Sequence, residues 1–237
     1  MRVLVTRPLP AAEATARRLA AAGHRPILLP LMRAEHLATA AIAALETRHA
    51  AIVLTSAEAV RVLTSSGADL ARHLTTPCFC VGDATAQAAA AFGFTDLRIA
   101  AGTGESLAEL IGATLDTPPP LPLLYLAGAP RSEGLEKGLR QRGIEHRTVE
   151  CYRMEPIVHP RAAVEDLRGT GHPDAVLLYS RETARQLVRI LAEAGVNPAS
   201  FASRYLCLSP AVAEALPDGV VAETAARPDE DSLISLL

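Results

Sequence analysis

The sequence predicts an α/β protein built on parallel sheets. Short apolar runs repeatedly end in Ser, Thr or Gly and pass directly into Ala- and Leu-rich stretches with helical periodicity. Strands that are apolar on both faces and alternate with helices are typical of parallel sheets covered on both sides. In addition, two strand–turn–helix stretches recur further along the chain, which indicates two related halves.

Six strand–helix units follow one another along the chain. The predicted strand and helix ranges are, in order, 3–6 and 11–22, 52–56 and 58–63, 78–82 and 84–92, 123–128 and 134–141, 175–180 and 183–194, and 205–209 and 211–216. Between the third and fourth units, Thr103 or Ser106 is placed to cap a further helix that runs to about residue 115. Pro-containing stretches over 26–37, 117–120 and 152–160 break both patterns and are candidate linkers.

The internal repeat is carried by two pairs of segments. Residues 52–61 resemble 176–185, which aligns Ser56 with Ser180, and residues 79–86 resemble 206–213 at nearly the same spacing. A duplication explains both pairs, although any two strand–turn–helix units share such features. Taken alone, the repeat would divide the chain near residue 120.

Composition and charge place the chain among ordinary globular proteins. Its 237 residues are 49% hydrophobic and 21% charged, with a formal net charge of -3. These values exclude disordered, collagen-like and disulfide-scaffold classes. Because the net charge supplies no field that attracts nucleic acid, we expect no nucleic-acid partner, and local donors would have to hold any anionic ligand.

Targeting and metal signals are weak. The first apolar run, Val3 to Val5, is too short for a signal-peptide core, and no run approaches a membrane span, so we expect no membrane association. The four cysteines form no C-x-x-C pair and the seven histidines show no zinc spacing, which favours buried free thiols in a reducing cytoplasm and no metal. Residues 102–107 lack the further glycine and the lysine of nucleotide-binding loops, so we expect no cofactor.

Candidate binding residues lie where the predicted strands end. In open α/β sheets, ligands bind beyond the carboxyl ends of the strands, where helix N-termini present unpaired N–H groups. The residues at or just after these ends are Thr6, Arg7, Thr55, Ser56, Gly82, Thr85, Gly128, Arg131, Ser180, Arg181 and Ser209. Such hydroxyls, amides and arginines suit a polyanion better than acid–base or covalent catalysis. Taken singly, each hydroxyl is better explained as an N-cap and each arginine as a solvated surface residue. The recurrence of hydroxyls at nearly every strand end favours binding by the set.

Several short motifs follow one another over almost the whole chain. They are Val-Leu-Val-Thr-Arg-Pro at 3–8, Leu29-Pro30, Thr55-Ser56 with Ala59-Val60, Val-Gly-Asp-Ala-Thr-Ala at 81–86, Gly93-Phe94, Ser106-Leu107, Leu126-Ala127-Gly128 with Arg131, Tyr152, Ser180, and the tail from Ala226-Arg227-Pro228 to Ser232-Leu233. Together they resemble the uroporphyrinogen-III synthase family, which closes the tetrapyrrole ring. Their order and spacing carry the resemblance, because each piece is unspecific alone.

The resemblance implies two flavodoxin-like α/β domains joined by a two-stranded linker, with the active site in the cleft between them. Residues 1–34 with 156–237 would form one domain and residues 37–150 the other, with linkers at about 30–37 and 150–156. We follow this arrangement rather than a division near residue 120, because the proline-containing linkers fall at its boundaries.

The resemblance also implies the activity. The family cyclises hydroxymethylbilane, a linear tetrapyrrole with eight carboxylates, to uroporphyrinogen III, with loss of water and inversion of the last pyrrole ring. The protein would mainly grip the carboxylates and fold the chain so that the correct carbon attacks. We expect a cytoplasmic monomer that needs no cofactor.

Family roles carry over to individual residues. Tyr152 matches the tyrosine near the linker and would donate a hydrogen bond to the departing hydroxyl, or it would merely pack at the hinge. Thr85 would bind a carboxylate at a helix start, and Ser56 and Ser180 would do so from opposite sides of the cleft. After Ser209, many members carry hydroxyl residues where this chain has 210–212 as Pro-Ala-Val, so only backbone N–H groups remain there.

Two alternatives stay open at this point. A two-domain α/β protein without catalytic groups could be a sensor of a small anionic ligand, or a regulator that resembles the synthase but is inactive. A nucleotide-dependent enzyme on a flavodoxin-like sheet ranks last, because no nucleotide signature is present.

Overall fold

A computed structural model of the chain describes residues 1–115, 119–169 and 171–237. The strands are β1 (Arg2–Val5), β2 (Arg25–Leu28), β3 (Met32–His36), β4 (Ile52–Leu54), β5 (Cys78–Cys80), β6 (Leu97–Ile99), β7 (Leu123–Ala129), β8 (His146–Pro156), β9 (Ala175–Leu178), β10 (Arg204–Cys207) and β11 (Ala222–Thr224). The helices are α1 (Ala11–Ala21), α2 (Ala38–Ala44), α3 (Ala57–Ser66), α4 (Asp83–Phe92), α5 (Gly104–Thr114), α6 (Gly134–Gln141), α7 (Arg161–Gly169), α8 (Arg181–Glu193), α9 (Pro198–Phe201), α10 (Pro210–Ala213) and α11 (Glu230–Ile234), with a short 3-10 helix at Ala71–His73.

The chain divides into two compact units. Unit 1 contains Met1–Arg33 and Glu155–Leu237, and unit 2 contains Ala34–Met154. The chain passes between the units within β3 and within β8, which neighbour each other in one sheet. Each predicted linker, 30–37 and 150–156, contains one of these two points, and the assignment of the units as domains stays a prediction.

Unit 1 is built on a five-stranded sheet in the order β11-β10-β9-β1-β2. All four neighbouring pairs are parallel, with Val5 opposite Leu177 and Cys207 opposite Leu178. The strands are apolar on both faces because both are covered: Leu4 and Val176 join one core cluster, and Val3 and Val5 join another.

Unit 2 is built on a six-stranded sheet in the order β3-β8-β7-β4-β5-β6. The pairs from β8 to β6 are parallel. Along β7, Leu124 and Leu126 enter one core cluster while Leu123 and Tyr125 enter the cluster on the other face, as the two-residue period of a strand requires.

The α/β class with parallel sheets is confirmed, and each of the six predicted strand–helix units is present. Of the two residues expected to cap α5, Thr103 is the N-cap, and its side chain and that of Ser106 each accept from the other's backbone N–H. Three predictions were wrong in detail. The helix after Ser209 ends at Ala213 rather than at residue 216. The proline-containing stretch 26–37 holds β2 and β3, and the stretch 152–160 begins with the end of β8. Residues 117 and 118 of the third candidate linker lie outside the described residues. A proline fits β2 because β2 is an edge strand.

Among the described residues, no helix has both the length and the apolar character needed to cross a bilayer.

Candidate functional site

The candidate residues of unit 2 lie along one edge of its sheet. Thr55 and Ser56 follow β4, Gly82 follows β5, and Gly128 lies near the end of β7. Because β4 pairs in parallel with both β5 and β7, these strands end at the same edge. Tyr152 reaches that edge on β8, opposite Gly128.

Ser56 and Tyr152 form a pair at the start of α3. Ser56 is the N-cap of α3, and its hydroxyl accepts a hydrogen bond from the Glu58 N–H at 3.1 Å. Tyr152 is only 9% exposed, and its phenol lies beside the Ser56 hydroxyl. Burial raises the pKa of Tyr152 above its usual value, and the neighbouring Ser56 hydroxyl offsets only part of that increase. The phenol is therefore neutral at physiological pH and able to donate.

The neighbouring strand ends add further hydroxyls. The Thr55 hydroxyl lies 3.0 Å from the Tyr125 phenol. Gly82 is the N-cap of α4, and its carbonyl accepts from the backbone N–H groups of Thr85 and Ala86, each at 3.1 Å. The Thr85 side chain is buried, with 5% exposure. This residue therefore lies at the helix start, as expected, but with little of its side chain open to a ligand.

Arg131 is held between two carboxylates. Its Nε lies 3.3 Å from Glu136 Oε2, and its Nη1 lies 4.0 Å from Glu150 Oε2. The pKa of Arg131 is raised, chiefly by its hydrogen bond to Glu136. Burial would raise the pKa of Glu136, but bonds from Thr148 and Arg131 lower it overall. The Arg131 side chain is 31% exposed, which leaves part of the guanidinium open.

The candidate residues of unit 1 follow β1, β9 and β10, which are adjacent in its sheet. Thr6 is fully buried, and its hydroxyl donates to the Leu177 carbonyl at 2.6 Å. Its side chain is thus used within the fold. Ser180 is the N-cap of α8 and accepts from the Thr183 N–H at 3.1 Å, while Arg181 is exposed. Ser209 is the N-cap of α10 and makes no side-chain capping bond.

Arg7 belongs to an ionic cluster centred on Glu230. Glu230 Oε1 accepts from Arg7 Nη1 at 2.7 Å, from the Tyr179 phenol at 2.9 Å and from the Thr15 hydroxyl, and its Oε2 accepts from Arg18 Nη1 at 2.8 Å. The Arg7 guanidinium also lies over the Tyr179 ring, 4.3 Å from its centroid. Burial would raise the pKa of Glu230, but the surrounding donors and cations lower it overall. These contacts hold α11 against α1 and against Arg7, which precedes it.

Sequence reasoning missed the acidic partners of the two arginines and the phenol beside Thr55. Glu230 is 223 residues from Arg7, and no short-range pattern connects them. Glu136 is five residues from Arg131, a spacing that was visible but unspecific. Among the described residues, no group of three or more His, Cys, Asp or Glu side chains is arranged to hold a metal ion.

The fold and these edges define a two-unit α/β protein whose strand ends present hydroxyls, helix N-termini and arginines. One of the hydroxyls, that of Ser56, lies beside a buried neutral phenol. A family model described as uroporphyrinogen-III synthase HemD matches residues 13–235. This chain belongs to the uroporphyrinogen-III synthase family.

Individual relatives agree with the family match. The uroporphyrinogen-III synthase of Saccharomyces cerevisiae is 26% identical over 207 residues, which span 78% of this chain and 74% of the relative. The crystal structure of uroporphyrinogen-III synthetase from Helicobacter pylori matches with a TM-score of 0.66 and 16% identity, covering 100% of this chain and 98% of that one. A mutant uroporphyrinogen III synthase from Thermus thermophilus matches with a TM-score of 0.57 and 21% identity, covering 99% and 96%. The two structures support the fold.

Proposed function

We propose that this chain cyclises hydroxymethylbilane to uroporphyrinogen III, with inversion of the last pyrrole ring and release of one water molecule. The observation that carries the proposal is the family match over residues 13–235. The chemistry of the strand ends agrees with it, because hydroxyls and helix N-termini are suited to a substrate rich in carboxylates.

The reaction begins with cleavage of the C–O bond of the terminal hydroxymethyl group. The hydroxyl takes up a proton and leaves as water, and the pyrrole nitrogen lone pair stabilises the resulting azafulvenium cation. The substituted carbon of the last ring attacks this cation to give a spiro intermediate, which fragments and recloses with that ring inverted. Loss of a proton from the ring carbon then restores the pyrrole and balances the proton taken up at the start.

Tyr152 is the proposed donor to the departing hydroxyl. A general acid must hold its proton at working pH, and burial raises the pKa of this phenol. A neutral donor also suits a step that creates a cation, because it places no positive charge in the site before the substrate binds. The Ser56 hydroxyl, which lies beside the same phenol, would fix its direction.

The remaining candidates are proposed to hold substrate carboxylates. Ser56, Gly82, Ser180 and Ser209 mark helix N-termini, where backbone N–H groups and the helix dipole favour anions. Arg7, Arg131 and Arg181 would pair with acetate or propionate groups, the first two by exchanging a glutamate for a substrate carboxylate. Thr55 and Thr85 are secondary candidates, and Thr6 acts only through the fold. The cleft site and the linkers implied by the family remain predictions.

The experiment that tests the function supplies hydroxymethylbilane to the purified protein. The products are oxidised to porphyrins, and the type III and type I isomers are separated by chromatography against a control without protein. We expect predominantly type III. Formation of type I alone, at the spontaneous rate, would contradict the synthase function and favour the ligand sensor.

We further propose that the protein works as a cytoplasmic monomer on a small molecule, without metal or organic cofactor. Light scattering would measure the mass in solution. Dialysis against a chelator, followed by the same isomer assay, is expected to leave the yield of type III unchanged.

A further inference from the structure

The pairing between β7 and β8 contains an irregularity next to Tyr152. Ala127 lies opposite Glu150, but the next residue, Gly128, lies opposite Tyr152. Cys151 is therefore an extra residue on β8, as in a β-bulge. Its carbonyl accepts from the Leu37 N–H at 2.8 Å, and its thiol donates to the Ala127 carbonyl at 3.4 Å. The backbone and the side chain of the bulge residue are both held in place.

The bulge changes which face of the sheet Tyr152 occupies. Residues of a regular strand alternate between faces, so Cys151 and Tyr152 would lie on opposite sides. Instead, both enter the same core cluster, with Val149 before them and Met154 after them. The alternation is thus shifted by one residue at Cys151. Without the bulge, Tyr152 would point toward the other face of the sheet and away from Ser56.

Gly128 supplies the space that the ring then fills. A Cβ on Gly128 would lie 2.2 Å from Tyr152 Cζ and 2.4 Å from its hydroxyl oxygen, far inside van der Waals contact. The φ angle of Gly128 lies outside the positive region, so its backbone does not itself require glycine. The absence of a side chain at position 128 is therefore explained by the ring of Tyr152.

We propose, on the basis of the catalytic role proposed for Tyr152, that Gly128 and the bulge at Cys151 are positioning features that hold the phenol against Ser56. Gly128 acts through Tyr152 and not by binding substrate itself. The bulge selects the face, and the bare backbone of Gly128 sets how closely the ring approaches β7. A donor fixed in this way keeps its hydroxyl in place before the substrate arrives.

A double-mutant cycle tests the coupling between the two residues. The four proteins are the wild type, Gly128→Ala, Tyr152→Ala and the double variant, and Gly169→Ala is the matched control, because a Cβ there meets no atom within 4 Å. We expect Gly128→Ala to lower the melting temperature by about 4 to 10 °C, as overpacking does, and the loss to disappear when Tyr152 is alanine. If Gly128→Ala does not fold but the double variant does, the coupling is supported. Equal losses in both backgrounds would overturn it.

Kinetics on the same proteins separate positioning from packing. With hydroxymethylbilane as substrate, Gly128→Ala, assayed below its melting temperature, should lower kcat by about tenfold while KM changes by less than about threefold. Combined with Tyr152→Ala, the change at position 128 should lower kcat no further. An unchanged kcat in a folded variant, or a raised KM in both backgrounds, would overturn the positioning role. If the wild type forms no type III isomer, the proposed function fails, while the melting temperatures still decide the coupling.

Discussion

In each sheet a central strand lies between two parallel neighbours, and similar residues follow these strands. The two carboxyl edges nevertheless differ in what their tyrosines contact. In unit 1, β9 lies between β10 and β1, and in unit 2, β4 lies between β5 and β7. One neighbour of each central strand is followed by an arginine: Arg7 follows β1 and Arg131 follows β7. Each arginine pairs with a glutamate. The repeat-related residues Ser56 and Ser180 both cap the helix after the central strand.

The difference lies in what the nearby tyrosine does. Tyr179 of unit 1 donates to Glu230 within an ionic cluster, and the pKa of this phenol is raised by burial and by the Glu230 charge. Tyr152 of unit 2 lies beside the neutral Ser56 hydroxyl. A phenol that donates to a carboxylate uses its proton in that hydrogen bond, whereas a phenol beside a neutral hydroxyl is able to donate its proton to a ligand instead. With the role proposed for Tyr152, one edge would use its tyrosine for chemistry and the other for stability.

The largest expected effect comes from removing the Tyr152 hydroxyl. Tyr152→Phe should lower kcat by about tenfold to a hundredfold, because the departing hydroxyl loses its donor while the ring still fills the space above Gly128. The measurement is the rate of type III formation under saturating substrate, together with circular dichroism to verify the fold. An unchanged rate would mean that Tyr152 only packs.

Tyr179→Phe is the matched control in unit 1. It removes one donor to Glu230 and should cost about 1 kcal/mol of stability in urea unfolding, with kcat changed by less than about twofold. Equal kinetic losses for the two tyrosines would break the contrast between the units.

A second, smaller effect is expected from the ionic cluster. Glu230→Gln removes the carboxylate that Arg7 and Arg18 share and should lower the free energy of unfolding at pH 7 by about 2 kcal/mol. The change should also weaken the pH dependence. The folded-state pKa of Glu230 lies below its usual value of 4.5, so its contribution is present above that pH and is lost as the pH falls through the lower folded value.

Urea unfolding of the wild type and of Glu230→Gln at pH 7, 5 and about 3.5 measures this linkage. The two stabilities should converge as the pH falls, because the wild-type carboxylate then becomes protonated. Glu223→Gln is the comparison variant, since that carboxylate is also paired with an arginine but lies at the surface. A stability difference for Glu230→Gln that does not change with pH would contradict the cluster's ionic character.

The sequence alone predicted those elements whose residues carry a local pattern, and it failed for those that depend on distant strands. The central strands β4 and β9 are continuous apolar runs that end in a capping serine, and both were predicted with their helices. By contrast, β8 mixes charged and apolar residues, and its last residues were interpreted as a linker. It forms a strand because its neighbours β7 and β3 provide the pairing, which is tertiary information.

The candidate site follows the same division. The position of Ser56 at a helix start could be predicted from the residues around it, and the structure has it as an N-cap. The burial of Thr6 and the Arg7–Glu230 pair could not be predicted, because both depend on chain segments more than 170 residues away. The bulge that turns Tyr152 toward Ser56 depends on a register shift between two strands, for which the sequence has no local marker.

The smallest expected effect tests whether a capping serine also holds substrate. Ser180→Ala removes the bond to the Thr183 N–H and should cost about 1 kcal/mol of stability. Asn197→Ala removes a similar cap from α9, outside the candidate residues, at a comparable cost. If Ser180 binds a substrate carboxylate, only Ser180→Ala should also raise KM, by about threefold to tenfold, as expected for one lost hydrogen bond to a charged group. Equal KM values for the two variants would mean that Ser180 is a cap alone, and the carboxylates would then be held in unit 1 by its arginines and backbone N–H groups.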